Sequence, residues 1–211
     1  MMPIDIFLSF FGICVLLALA PGPDNIFVLL QSALYGTRVG LVIVLGLCSG
    51  LFFHTFLVTV GVAEFISKSE TAFLILRVVG ACYLLYLAYL TIKSKPMQIE
   101  VQEGDDNTQP KMNLWQYYRR GIFMNATNPK VTLFFFAFLP QFLYSKTIPQ
   151  AQQLISLAAI FMLATLLTFG SIAVFSGYFG RMLKQSVKAQ QVLNIITVVV
   201  FVGLAVKLFW Q

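Results

Sequence analysis

The stretch Ala20-Pro21-Gly22-Pro23-Asp24-Asn25 lies inside an apolar run that extends from Ile4 to about Leu34. Two prolines and a glycine in three residues cannot continue an α-helix. Each proline removes a backbone donor, and its ring clashes with the preceding turn. The residue before a proline is also pushed out of the α region. The first helix must therefore break here, and the break carries an ionisable side chain, Asp24. In lipid a broken backbone is tolerated only where protein buries it or where it lines a wet cavity. A carboxylate at that depth costs roughly 2.5–3.5 kcal/mol on insertion scales, which makes it a candidate functional group.

The membrane setting follows from composition. The chain is 59% hydrophobic and 10% charged, with mean hydropathy +0.85, whereas soluble domains carry about 25% charged residues. The formal charge of +6 does not point to nucleic acid. The basic residues flank apolar segments, and no basic stripe interleaves with polar and aromatic residues. Cys14, Cys48 and Cys82 all lie in apolar segments and form no Cys-x-x-Cys, so they read as free, small core residues. Ala18-Leu19-Ala20 has the small residues of a signal cleavage site, but no basic stretch precedes it. The segment is expected to stay attached as a span.

Six spans are expected. They run from Ile4 to about Leu34, Val39 to Ala63, Ala72 to Ile92, Gly121 to Leu143, Leu154 to Phe179 and Val192 to Trp210. An unbroken first helix would be about 45 Å long, more than the ~30 Å hydrocarbon core, so the break or a tilt must absorb the excess. Between the third and fourth spans a polar stretch, 94–116, reads as a surface loop. With the N-terminus outside, the inner loops hold Arg38, Lys93, Lys95, Lys111, Arg119, Arg120, Arg181, Lys184 and Lys188. The outer side holds Lys68, Lys146 and Lys207. This asymmetry favours both termini outside.

The expected fold is therefore an all-α integral membrane domain, 1–211, with six transmembrane helices in two three-helix repeats of about 1–93 and 117–211. Three spans per repeat make the two inverted. The first span of each, helices 1 and 4 of the six, carries a proline break beside a charge. With Pro23 aligned to Pro129, Asp24 falls opposite Lys130. Interrupted segments at matching places in inverted halves point to a transporter's midplane site. The blander alternative is that both prolines only kink helices. The candidate binding residues are Pro21, Gly22, Pro23, Asp24, Asn25, Asn128, Pro129 and Lys130.

In the second span Gly46, Gly50, Leu57 and Gly61 share a helix face, with His54 at its edge. Gly46-x-x-x-Gly50 admits a close helix neighbour, so His54 is expected to face the bundle. It is either a core histidine bonded to a carbonyl or, with Asp24, a proton-coupling group. Arg77 is expected to snorkel to the outer interface. Tyr83 and Tyr86 either line the cavity with their hydroxyls or pack, and Tyr83 joins the candidate binding set.

These residues resemble the LysE/RhtB family of bacterial amino-acid exporters. The matching elements are Ala20-Pro21-Gly22-Pro23-Asp24-Asn25, Gly36-Thr37-Arg38-Val39-Gly40, Gly46-x-x-x-Gly50-x-x-x-His54, Gly80-Ala81-Cys82-Tyr83-Leu84-Leu85-Tyr86-Leu87, Gly121 with Asn125, Asn128-Pro129-Lys130 and Leu139-Pro140-Gln141-Phe142. The resemblance implies a proton-driven antiporter in the bacterial inner membrane that exports amino acids, and it allows a homodimer. The RhtB-like branch implies neutral cargo such as threonine, homoserine or leucine.

An amino acid brings one ammonium and one carboxylate. Asp24 and Asn25 are expected to accept the ammonium, and Lys130 to pair with the carboxylate, helped by donors exposed at the breaks. Asp24 and Lys130 are expected to pair when the carrier is empty. A proton at Asp24 or His54 would then loosen the hold on the ammonium. The alternative is a metal or inorganic-ion exporter, which wants clustered Asp, Glu, His or Cys ligands. Asp24 is the one carboxylate well inside a span. No hydrolase or thiol-oxidoreductase motif occurs, so neither an enzyme nor a cofactor is expected, and the partners are cargo, protons and lipid.

Overall fold

A computed structural model describes residues 2–62, 70–94, 112–176, 178 and 187–210. Among these residues every regular element of the chain is helical and none is a strand. Its α-helices are α1 (Ile4–Leu19), α2 (Pro23–Tyr35), α3 (Thr37–Leu57), α4 (Glu70–Lys93), α5 (Leu114–Ala126), α6 (Pro129–Leu133), α7 (Gln150–Val174) and α8 (Val187–Trp210). A π-helical turn, Val58–Val62, extends α3. A second one, Phe134–Phe138, and a 3-10 turn, Leu139–Phe142, extend α6.

Local sequence explains the boundaries. Pro23 and Pro129 each occupy the first turn of a helix, where a missing N–H is harmless and φ is already helical. Gly36 turns α2 into α3 with φ of 89°, a left-handed conformation that favours glycine. The polar stretch ends earlier than expected. Asn113 and Gln116 form a reciprocal capping box, so α5 starts at Leu114. Arg119 and Arg120 consequently sit on α5, exposed, rather than in a loop. Lys95, Lys111, Arg181, Lys184 and Lys68 lie outside the described residues.

Four helical stretches, Thr37–Gly61, Leu74–Lys93, Gln150–Val174 and Gln190–Phe209, are long and apolar enough to cross a membrane. The count rises to six if each bent pair is one span: α1 with α2, bent by 65°, and α5 with Pro129–Phe142, bent by 48°. The spans of α3 and α7 are each 50% buried, those of α4 and α8 only 22% and 28%. The first two are therefore central and the last two peripheral. α3 packs on α5 and α7, α1 packs on α7, and α4 packs chiefly on α8.

Aromatic rings fill the centre. Phe10 meets Phe142 at 4.9 Å between centroids, and Phe161 meets both Phe134 and Phe135 at 5.2 Å. Lipid is as apolar as a side chain, so such packing, rather than escape from water, holds the helices together. The α3–α5 seam is closer still. A Cβ on Gly46 would press on the Tyr118 carbonyl, and one on Gly50 would lie 2.7 Å from Asn125 Cβ. The seam also carries a Ser49–Tyr118 hydrogen bond of 2.8 Å.

The small-residue stripe stops short of its expected end. Gly61 is exposed with nothing near it, because the π-helical turn at Val58–Val62 rotates it off the α3 face. Cys14 and Cys48 are buried as expected, but Cys82 is exposed on α4. Arg77 has a partner within the chain. Its Nε and Nη2 donate to the Leu208 carbonyl at 3.1 and 2.7 Å, which ties α4 to the last turn of α8.

Candidate functional site

The first break leaves the carbonyl end of α1 open. Ala20 N–H closes the helix on Leu16 O, and Pro21 has no N–H to offer. Gly22 is extended. The last carbonyls of a helix need partners from elsewhere, and here side chains supply them. Asn25 Nδ2 donates to Ala18 O at 2.7 Å. Lys130 Nζ donates to Leu17 O at 3.2 Å and to Ala20 O at 3.1 Å.

The second break is capped by Asn128. Its Oδ1 accepts from Lys130 N–H at 3.0 Å, and its Nδ2 donates to Asp24 Oδ2 at 2.6 Å. One side chain thus starts α6 and holds the first turn of α2. Two breaks more than a hundred residues apart are locked to each other by Asn128 in one direction and Lys130 in the other.

Asp24, Asn25, Asn128 and Lys130 are therefore brought together, with Gly22 in the wedge between them. A Cβ on Gly22 would lie 3.5 Å from Lys130 Nζ, 3.7 Å from Asn25 Oδ1 and 3.9 Å from Ala20 O. Pro21, Pro23 and Pro129 shape the breaks and offer no donors. The expected pairing of Asp24 with Lys130 takes a different form. The Lys130 ammonium bonds to α1 carbonyls and the Asp24 carboxyl bonds to Asn128.

Several polar atoms remain without a partner although buried: Asp24 Oδ1, Asn25 Oδ1, Asn125 Oδ1 and His54 Nδ1. Lys130 also has a third donor beyond its two bonds. Unsatisfied buried atoms are rare in folded proteins; Thr59 Oγ1 and Gln141 Oε1 are two more, and Asp24 Oδ1 and Asn25 Oδ1 are the pair at the first break.

His54 faces the bundle as expected and is fully buried. Its Nε2 lies 3.0 Å from Asn125 O in the last turn of α5. A carbonyl can only accept, so Nε2 carries the hydrogen and Nδ1 presents its lone pair. The ring lies against Phe53 and Phe135. Tyr83 stands apart. It is half-buried on peripheral α4, its ring 6.2 Å from that of exposed Tyr86, and its helix packs on α8 and on Phe134–Phe138. Asn125 escaped the expected site, although its place four residues after Gly121, one turn along the seam, was a usable signal.

The comparison with known proteins now decides the family. Residues 15–211 match the LysE type translocator family. The chain belongs to this family. A leucine efflux protein from Salmonella typhimurium (strain LT2) is 31% identical over 204 residues, covering 92% of this chain and 90% of the relative. An uncharacterized membrane protein, YrhP, from Bacillus subtilis (strain 168) is 30% identical over 95% of this chain and 96% of its own. No solved structure matches. Family membership and the apolar helices make this a multi-pass membrane translocator, and the family implies a transporter rather than an enzyme.

Proposed function

We propose that this translocator exports neutral amino acids across the bacterial inner membrane by proton antiport, and that its site is the junction of the two helix breaks. The observation that carries the reading is the juxtaposition of a lysine ammonium with the unpartnered oxygens of Asp24 and Asn25. A zwitterion needs both kinds of partner within a few ångströms, because an unpaired charge in a low dielectric is very costly. The ammonium of the cargo goes to Asp24 Oδ1 and Asn25 Oδ1. Its carboxylate goes to the third donor of Lys130 and to the N–H groups of Asp24 and Asn25 at the start of α2, the positive end of that helix. The leucine efflux relative supports neutral cargo.

Counting each bent pair as one span gives six spans in two halves, read as inverted repeats. The packing supports this: α3 lies on α5, α7 lies on α1, and α4 pairs with α8, the neighbours that a two-fold exchange of the halves would produce. The charge asymmetry of the loops supports termini on the outer side. Proton coupling is assigned to Asp24 and to the open Nδ1 of His54.

The test is efflux of radiolabelled leucine, threonine, homoserine and lysine from preloaded vesicles, with and without a proton gradient. Gradient-dependent efflux of a neutral amino acid, lost in Asp24→Asn, is the expected result. Efflux of lysine alone, or efflux indifferent to the gradient, would overturn the reading.

A further inference from the structure

Lys130 stands in the first turn of α6, where the positive end of a helix disfavours a cation. Its ammonium is not there for its own helix. It reaches across to the negative end of α1 and takes Leu17 O and Ala20 O. Carbonyls freed where a membrane helix is interrupted are the groups with which discontinuous helices coordinate small cations. Carbonyl oxygens can also replace the water shell of such an ion.

One more oxygen, Asn25 Oδ1, stands at the same place, and the buried carboxyl of Asp24 belongs to the preceding residue. Asn25 Oδ1 and Asp24 Oδ1 are unpartnered, and Asp24 and Asn25 are only 4% and 9% exposed. Asn25 Oδ1, Ala20 O and Lys130 Nζ all lie within 4 Å of the one point where a Gly22 side chain would begin. We propose that the carbonyl end of α1 is a monovalent-cation site that this chain fills with the tethered ammonium of Lys130. Removing that ammonium opens the site to a free cation, either Na+ or a small primary ammonium ion. The native protein then needs no free cation to hold its broken helix, and the proposal does not depend on which solute is exported.

The experiment uses the full chain, purified in detergent, with thermal unfolding followed by tryptophan fluorescence. Wild type, Lys130→Ala and Lys130→Met are compared in sodium, methylammonium and choline chloride at equal ionic strength. The methionine variant keeps a long side chain and removes the ammonium, so it separates loss of charge from loss of packing. Choline is the control, since it is bulky and has no N–H. Wild-type Tm is expected to be the same in all three salts. Both variants are expected to melt lower in choline and to recover by several degrees, saturably, in sodium or methylammonium. Adding Asp24→Asn to Lys130→Ala should remove that recovery. Recovery in methylammonium alone would place an ammonium-selective site here, and recovery in sodium would place a general one. Equal effects of choline, a matching gain in wild type, recovery that survives Asp24→Asn, or failure of both variants to fold in any salt would each overturn the proposal.

Discussion

Asn128 donates a 2.6 Å hydrogen bond to the carboxyl of Asp24, from one helix break to the other. The same side chain caps α6 through Lys130 N–H, so a single amide sets both the start of one helix and the position of a buried acid on another.

Asn128→Ala should therefore lose two things. The cap contributes about 1 kcal/mol, and a hydrogen bond to a charged acceptor about 1.5–3 kcal/mol. The expected destabilisation is about 2–4 kcal/mol. Asn128→Asp keeps the cap but sets a second carboxyl against Asp24, and it should lose binding of cargo while retaining the helix start. Unfolding midpoints in detergent and cargo binding, measured on both variants, separate the two roles. If Asn128→Asp binds as wild type does, the link to Asp24 is not functional.

The α3–α5 seam predicts a contrast among glycines. A Cβ on Gly50 would meet Asn125 Cβ at 2.7 Å and the Ile122 carbonyl at 2.9 Å. Gly50→Ala must push the helices apart, at about 1–3 kcal/mol. Gly170 and Gly203, in α7 and α8, have nothing within 4 Å of the same position. Alanine there should be neutral or stabilise by up to about 1 kcal/mol. Thermal midpoints of the three variants check this, and similar values for all three would contradict the packing.

The parts of this arrangement that could be read from sequence are those written in backbone chemistry. Pro21, Gly22, Pro23 and Pro129 constrain the chain locally, so both breaks stood out, as did the apolar spans and the inward face of His54. The capping box of Asn113 and Gln116 is equally local and could have been read, but the polar run around it obscured it. The long-range choices were hidden. A lysine beside a proline does not reveal that its ammonium reaches the carbonyls of another helix. The π-helical turn that takes Gly61 off the α3 face has no proline or glycine pair to announce it. Tyr83 looked deep because it is mid-span, yet its helix is peripheral.

Gln153 offers a test away from the site. It is fully buried at the start of α7. Its Oε1 accepts from the N–H groups of Tyr144 and Ser145, and its Nε2 donates to Ser145 O and Ile148 O. These bonds hold the turn between Phe142 and α7. At about 0.5–1.5 kcal/mol net for each of the four bonds, Gln153→Leu should destabilise by about 2–6 kcal/mol. It should also raise proteolysis in this turn, measured by limited digestion in detergent, while leaving the affinity for cargo unchanged. Digestion no faster than in wild type would mean that the turn is held by other contacts.

His54 separates coupling from architecture. Its Nε2 bond to Asn125 O is structural, whereas its open Nδ1 is the atom that could take a proton. Gln at this position can still donate an amide N–H to Asn125 O but cannot carry a titrating proton. His54→Gln should therefore keep the fold and keep exchange of internal for external cargo, which needs no net proton movement. Its gradient-driven efflux should fall to the rate seen without a gradient. Paired exchange and net-efflux assays on the same vesicles give the comparison. Loss of both activities, or of neither, would assign His54 to packing alone and leave Asp24 as the proton-coupling group.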